Sequence, residues 1–162
     1  MNTGPARSAP RLEDFPHHAA DIIRLGDLDH QGHVNNAVYA TYFETGRVHF
    51  MRDTFGSLRF GDKNFVVARV EINYLRELHW PGNVCVGTGV ERIGTSSVTY
   101  AQAVFHEGLC AAHGFTTMVM IGRATRRPTP MPADTVARLR SLQRPGAGTD
   151  DCHAPASPRC GE

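Results

Sequence analysis

Apolar residues recur at three- and four-residue spacing through Val38, Tyr39, Tyr42, Phe43, Gly46 and Phe50, and after Gly56 the period changes to two. That change constrains the fold more than any other feature of the chain. The first pattern lays a broad apolar stripe along a helix over 37–52, roughly 25–30 Å long at 1.5 Å per residue. Asn35 or Asn36 is its expected N-cap, and Gly56 its stop. In the second pattern Val66, Ala68, Val70, Ile72 and Tyr74 alternate with Arg69, Glu71 and Asn73, as a strand with one apolar face requires. Further strands are expected over 84–93, 97–105 and 109–121. Pro81-Gly82-Asn83, Gly94-Thr95 and His106-Glu107-Gly108 supply the turns. Turns this short join antiparallel neighbours. Residues 19–28, with Ile22, Ile23, Leu25 and Leu28, read as a strand ahead of the helix. Val136, Leu139 and Leu142 line up as a short helix over 131–142. The sum is an α+β domain, with a sheet of about five antiparallel strands and the long helix on one face.

That domain is expected over 16–143. Residues 1–15, with Gly4, Pro5 and Pro10, read as a flexible arm, and 144–162, rich in Gly, Pro, Ala, Ser and Asp, as a disordered tail. The chain has 162 residues and a net charge of +1, so bulk electrostatics point to neither nucleic acid nor a membrane as partner. No apolar run reaches the ~18 residues that span a bilayer. The first residues lack the apolar core of a secretory signal. Cys85 and Cys110 sit in strand-like runs and read as reduced thiols, whereas Cys152 and Cys160 lack the spacing of a metal site. A cytoplasmic protein without metal or cofactor is the expectation.

The chemistry concentrates just before the long helix. Gly26-Asp-Leu-Asp-His-Gln-Gly-His-Val-Asn-Asn36 packs two acids, two histidines and two asparagines into one turn. A helix that starts there aims free backbone amides and the positive end of its dipole at the same point. A carbonyl under attack develops negative charge that such amides stabilise. Asp29, a few residues upstream, is placed to activate water or to attack directly. Asp27 reads as a turn cap. Asn35 and Asn36 serve as caps whatever the chemistry. Glu44 and Arg47, three residues apart, read as a surface ion pair. Tyr39, Tyr42 and Phe43 read as core, and His17-His18 as exposed.

The block 26–36, with Tyr39 and Tyr42-Phe43-Glu44-Thr-Gly-Arg47 after it, resembles the signature of hotdog-fold thioesterases of the 4-hydroxybenzoyl-CoA thioesterase-like group. Arg126-Arg127-Pro128-Thr-Pro130-Met-Pro132 resembles the end of that group's last strand, so the likeness runs over about 19–132. It implies a curved antiparallel sheet wrapped around the helix, and a homodimer or homotetramer with its sites at a subunit interface. It also implies hydrolysis of an acyl thioester, usually acyl-CoA. The family's catalytic acid falls on Asp29, as nucleophile or general base, and its carbonyl-polarising amide near Asn36. Asp29, Gln31 and His33 are also similar to the Asp, Asn and His run of plant acyl-carrier-protein thioesterases, with Gln31 in place of Asn. Arg123, Arg126 and Arg127 are candidates for coenzyme A phosphates, since guanidinium suits phosphate. Two other chemistries share this fold: hydration of an enoyl-CoA, and acyl-thioester binding without turnover. The hydratase branch places its His five residues after its Asp. Here that position is Val34, and His33 is only four after Asp29.

Overall fold

The computed structural model describes residues 9–144. Its elements are β1 (His17–Ile23), α1 (Val38–Phe55), β2 (Lys63–Tyr74), β3 (Gly82–Ile93), β4 (Ser97–His106), β5 (Leu109–Gly122) and α2 (Ala133–Arg140). The five strands form one antiparallel sheet in the order β1-β3-β4-β5-β2. With the long helix against one face, this is the hotdog arrangement. No helix among the described residues is long and apolar enough to cross a membrane.

Gly56 ends α1 in the left-handed conformation, with φ 68, and its N–H returns to the Arg52 carbonyl. The start differs from expectation. Ala37 stands at the cap, so neither Asn35 nor Asn36 is the N-cap. Asn35 works one step upstream: its carbonyl accepts the Val38 N–H at 2.9 Å and its side-chain oxygen the Ala37 N–H at 2.9 Å. β1 also stops earlier than periodicity suggested. After Ile23, Leu25–Asp27 winds into a 3-10 turn, because Asp27 Oδ2 accepts the Arg24 N–H at 2.8 Å. Asp27 is thus the turn cap expected of it. In β2 the register shifts between Val67 and Arg69 around Ala68, so Val66 stands on the opposite face from Val70, Ile72 and Tyr74, which strict alternation had placed with it. A bulge is invisible to a period-two pattern.

The face under α1 carries two apolar clusters. Val34, Tyr39, Tyr42, Phe43, Val86 and Val104 build one; Phe50, Met51, Val90, Val98, Tyr100 and Met120 build the other. Between them runs a polar seam. Arg47, only 6% exposed, turns inward and donates to Gln102 Oε1 at 3.2 Å and Thr116 Oγ1 at 3.1 Å. Gln102 donates in turn to the Phe43 carbonyl at 2.8 Å and to Thr88 Oγ1 at 3.3 Å. The expected Glu44–Arg47 surface pair therefore does not form: Glu44 stays exposed while Arg47 is drawn under the helix by neutral acceptors. Burial lowers the Arg47 pKa, and Glu44 opposes that only through space. Gly46 allows the close approach, since a Cβ there would lie 2.6 Å from Val86 and 2.8 Å from Thr88.

The opposite face is covered by the chain's own start. Residues 9–15, expected as part of a flexible arm, are packed: Leu12–Asp14 forms a 3-10 turn and Phe15, 4% exposed, sits on Ala101, Ala103 and Phe105. Gly87 leaves the hollow that the Phe15 ring fills. The Arg144 guanidinium stacks 4.6 Å from that ring, and the Arg144 backbone N–H donates to the Val90 carbonyl at 3.0 Å. The expected arm before residue 9 and the tail after 144 lie outside the described residues. Phe15→Ala should cost about 3 kcal/mol, the loss typical of a buried phenylalanine. Urea unfolding measures it, and a change below about 1 kcal/mol would show that the strap is not docked in solution.

Cys85 is half-buried and Cys110 buried, both as free thiols; burial pushes the Cys110 thiol up to about 11. Cys152 and Cys160 lie outside the described residues. Among the histidines read as exposed, His18 is, but His17 is half-buried with Nε2 3.0 Å from Asp53 Oδ2.

Candidate active site

The polar block folds into a tight loop between β1 and α1. Asp29 N–H donates to the His33 carbonyl at 2.9 Å, Asn35 N–H to the Asp27 carbonyl at 2.9 Å, and Leu28 bridges Val34. Gly32 takes the positive φ of 86 at the turn, which only a residue without Cβ adopts freely. Buried Val34 and the Tyr42 hydroxyl, 3.2 Å from Asp27 Oδ2, tie this loop to the core.

Asp29 is fixed at one oxygen and open at the other. Oδ1 accepts the Gln31 N–H at 2.8 Å, while Oδ2 stands 3.6 Å from His33 Nδ1. The Gln31 amide holds the carboxyl below its usual range, partly offset by desolvation and helped by His33 and His30. Asp29 is therefore a carboxylate at neutral pH. Gln31 contributes its backbone here, and its side chain is exposed. Asn36 is exposed, and its N–H joins no hydrogen bond among the described residues, whereas the neighbouring Ala37 and Val38 amides are both taken by Asn35. The Asn36 amide, near which the oxyanion donor was expected, is thus unbonded among the described residues.

A cleft of about 280 Å³ opens beside this loop, lined by His33, Val34, Asn36, Tyr39, Tyr74, Leu75, Arg76 and Glu77. Its far wall is the end of β2 and the segment after it. The Tyr74 hydroxyl donates to the Asn36 carbonyl at 3.0 Å and the Tyr39 hydroxyl to the Arg76 carbonyl at 3.2 Å. Burial pushes the Tyr39 phenol up to about 12, so it stays neutral. A larger cavity of about 500 Å³ lies on the outer face between the strap and the sheet, away from Asp29.

The match to a family decides the class. Residues 23–139 fit the thioesterase-like superfamily. The chain belongs to that family. No curated protein matches it. Solved thioesterases do. One from Thermus thermophilus, complexed with coenzyme A and zinc, is 36% identical over 82% of this chain and 98% of its own, with a TM-score of 0.73. A predicted thioesterase from Bacillus stearothermophilus is 30% identical over 80% and 98% of the two chains, with a TM-score of 0.74. A Pseudomonas aeruginosa protein is also 30% identical, over 83% and 96%, with a TM-score of 0.76.

Within this thioesterase fold the sequence candidates divide. His33 stands 3.6 Å from Asp29 and lines the cleft with Asn36, Asp29 itself lies outside the cleft lining, and Gln31 holds Asp29 through its backbone. Arg123, Arg126 and Arg127 do not join them. They follow Gly122, which pairs with Lys63, while the cleft is at the Tyr74–Ala112 end of the same ladder. Ten residues of β5 separate the two ends, about 34 Å. Glu77 was missed. It belongs to a turn-like segment with no periodic signal, and only the fold brings it to His33. For the zinc named with the Thermus protein, no group of three His, Cys, Asp or Glu side chains converges among the described residues.

Proposed function

We propose that this thioesterase hydrolyses acyl-CoA to a carboxylic acid and free coenzyme A, with Asp29 as the reacting acid. The observation that carries the reading is the loop's geometry: an anchored carboxylate with one free oxygen, and a free amide at Asn36 on the same short loop. The coenzyme A named with the Thermus relative supports the substrate class. A carboxylate held below its usual basicity is a weak proton acceptor. The same shift weakens it as a nucleophile, so basicity does not separate the two routes; in the nucleophilic route the unanchored Oδ2 attacks the thioester carbon. The carbonyl oxygen gains the negative charge and meets the Asn36 N–H. Collapse expels coenzyme A as thiolate and leaves a mixed anhydride on Asp29. Water then cleaves the anhydride, restoring the carboxylate, releasing the acid and delivering a proton to the thiolate.

A second copy of the chain would complete the site. β2 is an edge strand with Val67 47% and Val70 40% exposed, and its end forms the cleft wall. An apolar edge of this kind invites strand pairing. A reducing, cytoplasmic setting fits the free thiols of Cys85 and Cys110.

Thiol release across a panel of aliphatic and aromatic acyl-CoA thioesters tests the reading, with sedimentation velocity run beside it. Turnover of at least one thioester by a dimer or tetramer is expected. No release above the uncatalysed rate sinks the enzymatic assignment, and a monomer sinks the shared site. Hydrolysis in labelled water over repeated turnovers separates the two Asp29 routes, because only an anhydride opened by water at the Asp29 carbon places the label in the Asp29 carboxylate.

A further inference from the structure

We infer that Glu77 is a positioning residue for this site, holding the His33 ring against Asp29. The inference rests on the reading of Asp29 as the reacting carboxylate. His33 lies between two acids: Nδ1 is 3.6 Å from Asp29 Oδ2, and Nε2 is 3.8 Å from Glu77 Oε1. Each ring nitrogen thus faces a carboxylate oxygen that can accept from it. Once closed to hydrogen-bond distance, an Nδ1–H would occupy one lone pair of Asp29 Oδ2 and leave the other for the carbonyl carbon. Both gaps exceed hydrogen-bond length, as catalytic contacts without substrate often do before they tighten on binding.

Glu77 is not a stray surface acid. Its segment is pinned on both sides. The Leu78 side chain is 1% exposed, and its carbonyl accepts the Val34 N–H at 2.8 Å. Arg76 N–H bonds the Ala111 carbonyl at 3.0 Å, and the Arg76 carbonyl receives the Tyr39 hydroxyl. The second Glu77 oxygen stands 3.8 Å from His79 Nε2. His79 Nδ1 in turn lies 3.3 Å from the Gly32 carbonyl, back in the Asp29 loop. The His33 and His79 rings meet edge to face with centroids 6.1 Å apart. A chain of contacts thus runs from Asp29 through His33, Glu77 and His79 to Gly32. The Glu77 side chain is 67% exposed, so its ion pairs add little to folding stability. Their effect is on the orientation of His33.

The test is Glu77→Gln, alone and in a His33→Ala background, with kinetics and the side-chain nitrogen signals of His33 read by NMR. Alone, the substitution should lower kcat about tenfold with KM within about twofold, and without His33 it should change kcat less than about twofold, because residues acting as one unit are not additive. The His33 Nε2 signal should move in Glu77→Gln while the melting temperature stays. The inference is overturned by an unchanged kcat, by an equal loss in both backgrounds, or by an unmoved Nε2 signal. If wild type hydrolyses no acyl-CoA, the functional reading falls, and the Nε2 signal still decides whether Glu77 holds His33.

Discussion

Asp29→Asn should lower kcat/KM for acyl-CoA hydrolysis by at least about 100-fold, the lower end of what a positioned acid or base contributes. The amide keeps the shape of the carboxyl and can still accept the Gln31 N–H that anchors Oδ1. It carries no charge, so it neither attacks a thioester carbon nor takes a proton from water. The side chain is half-buried and belongs to neither core cluster. Circular dichroism and melting temperature should therefore match wild type, and KM should change little. Turnover within about threefold of wild type would remove Asp29 from the chemistry. The pH profile supplies a second reading of the same group. The Gln31 amide stabilises the charged form, so the folded pKa is lowered. A lowered pKa keeps the carboxylate ionised further into acid. The acid limb of kcat/KM should therefore fall below the ordinary aspartate value of about 3.9, read in brief assays that precede acid unfolding. A limb near 6 or 7 would assign rate control to another group.

Gly114→Ala should be the most damaging single methyl in the sheet. Gly114 pairs with Ile72 across the β2–β5 ladder. A Cβ there would run into the Glu71 carbonyl oxygen and stand 2.8 Å from the Glu71 carbonyl carbon. Those atoms are backbone and cannot rotate aside, so β2 must shift as a strand. Overpacking of this kind costs about 3 kcal/mol, or about 10 °C in melting temperature for a domain of this size. The cleft wall formed by Tyr74, Leu75, Arg76 and Glu77 continues from β2, so activity should fall with stability. Gly26→Ala is the matched control. A Cβ at Gly26 meets nothing within 4 Å. Its stability should equal or slightly exceed wild type, since the unfolded chain loses freedom. A Gly114→Ala protein within about 1 kcal/mol of wild type would mean that β2 does not lie on β5 as closely as described.

Much of this was legible in the chain because it is local. A stripe at helical spacing, a period of two and short turns each depend on residues a few positions apart, and they yield α1 and the β3–β5 meander; β2, which the Pro81-Gly82-Asn83 turn suggested as a neighbour of β3, instead pairs with β5 at the sheet edge. The block around Asp29 was legible for the same reason: acid, turn and helix start are contiguous. What failed depends on partners distant in sequence. Glu44 and Arg47 are correctly spaced for a pair, but Gln102 and Thr116 lie under the helix and take the guanidinium. Phe15 looked like part of an arm, because the hollow above Gly87 belongs to another strand. Asn35 remains the residue that orders the helix start, yet the cap itself moved to Ala37 because the chain makes one tight turn before winding. Glu77 reaches His33 from 44 positions away, and no spacing rule spans that distance.

The seam of Arg47, Gln102, Thr88 and Thr116 bears on where catalysis can happen. A helix resting on a wholly apolar sheet could slip by one turn, about 5.4 Å, and exchange one greasy contact for another. Here such a slip would carry Arg47 off its acceptors and into one of the apolar clusters, leaving a buried guanidinium without hydrogen bonds at a cost of several kcal/mol. The side chain acts as a tooth that fits a single notch. Because an α-helix is stiff along its axis, a tooth at mid-length also sets the position of its tip. The Asn36 amide, roughly 15 Å from Arg47 along the helix, is thereby indexed against Asp29 by a residue that touches neither.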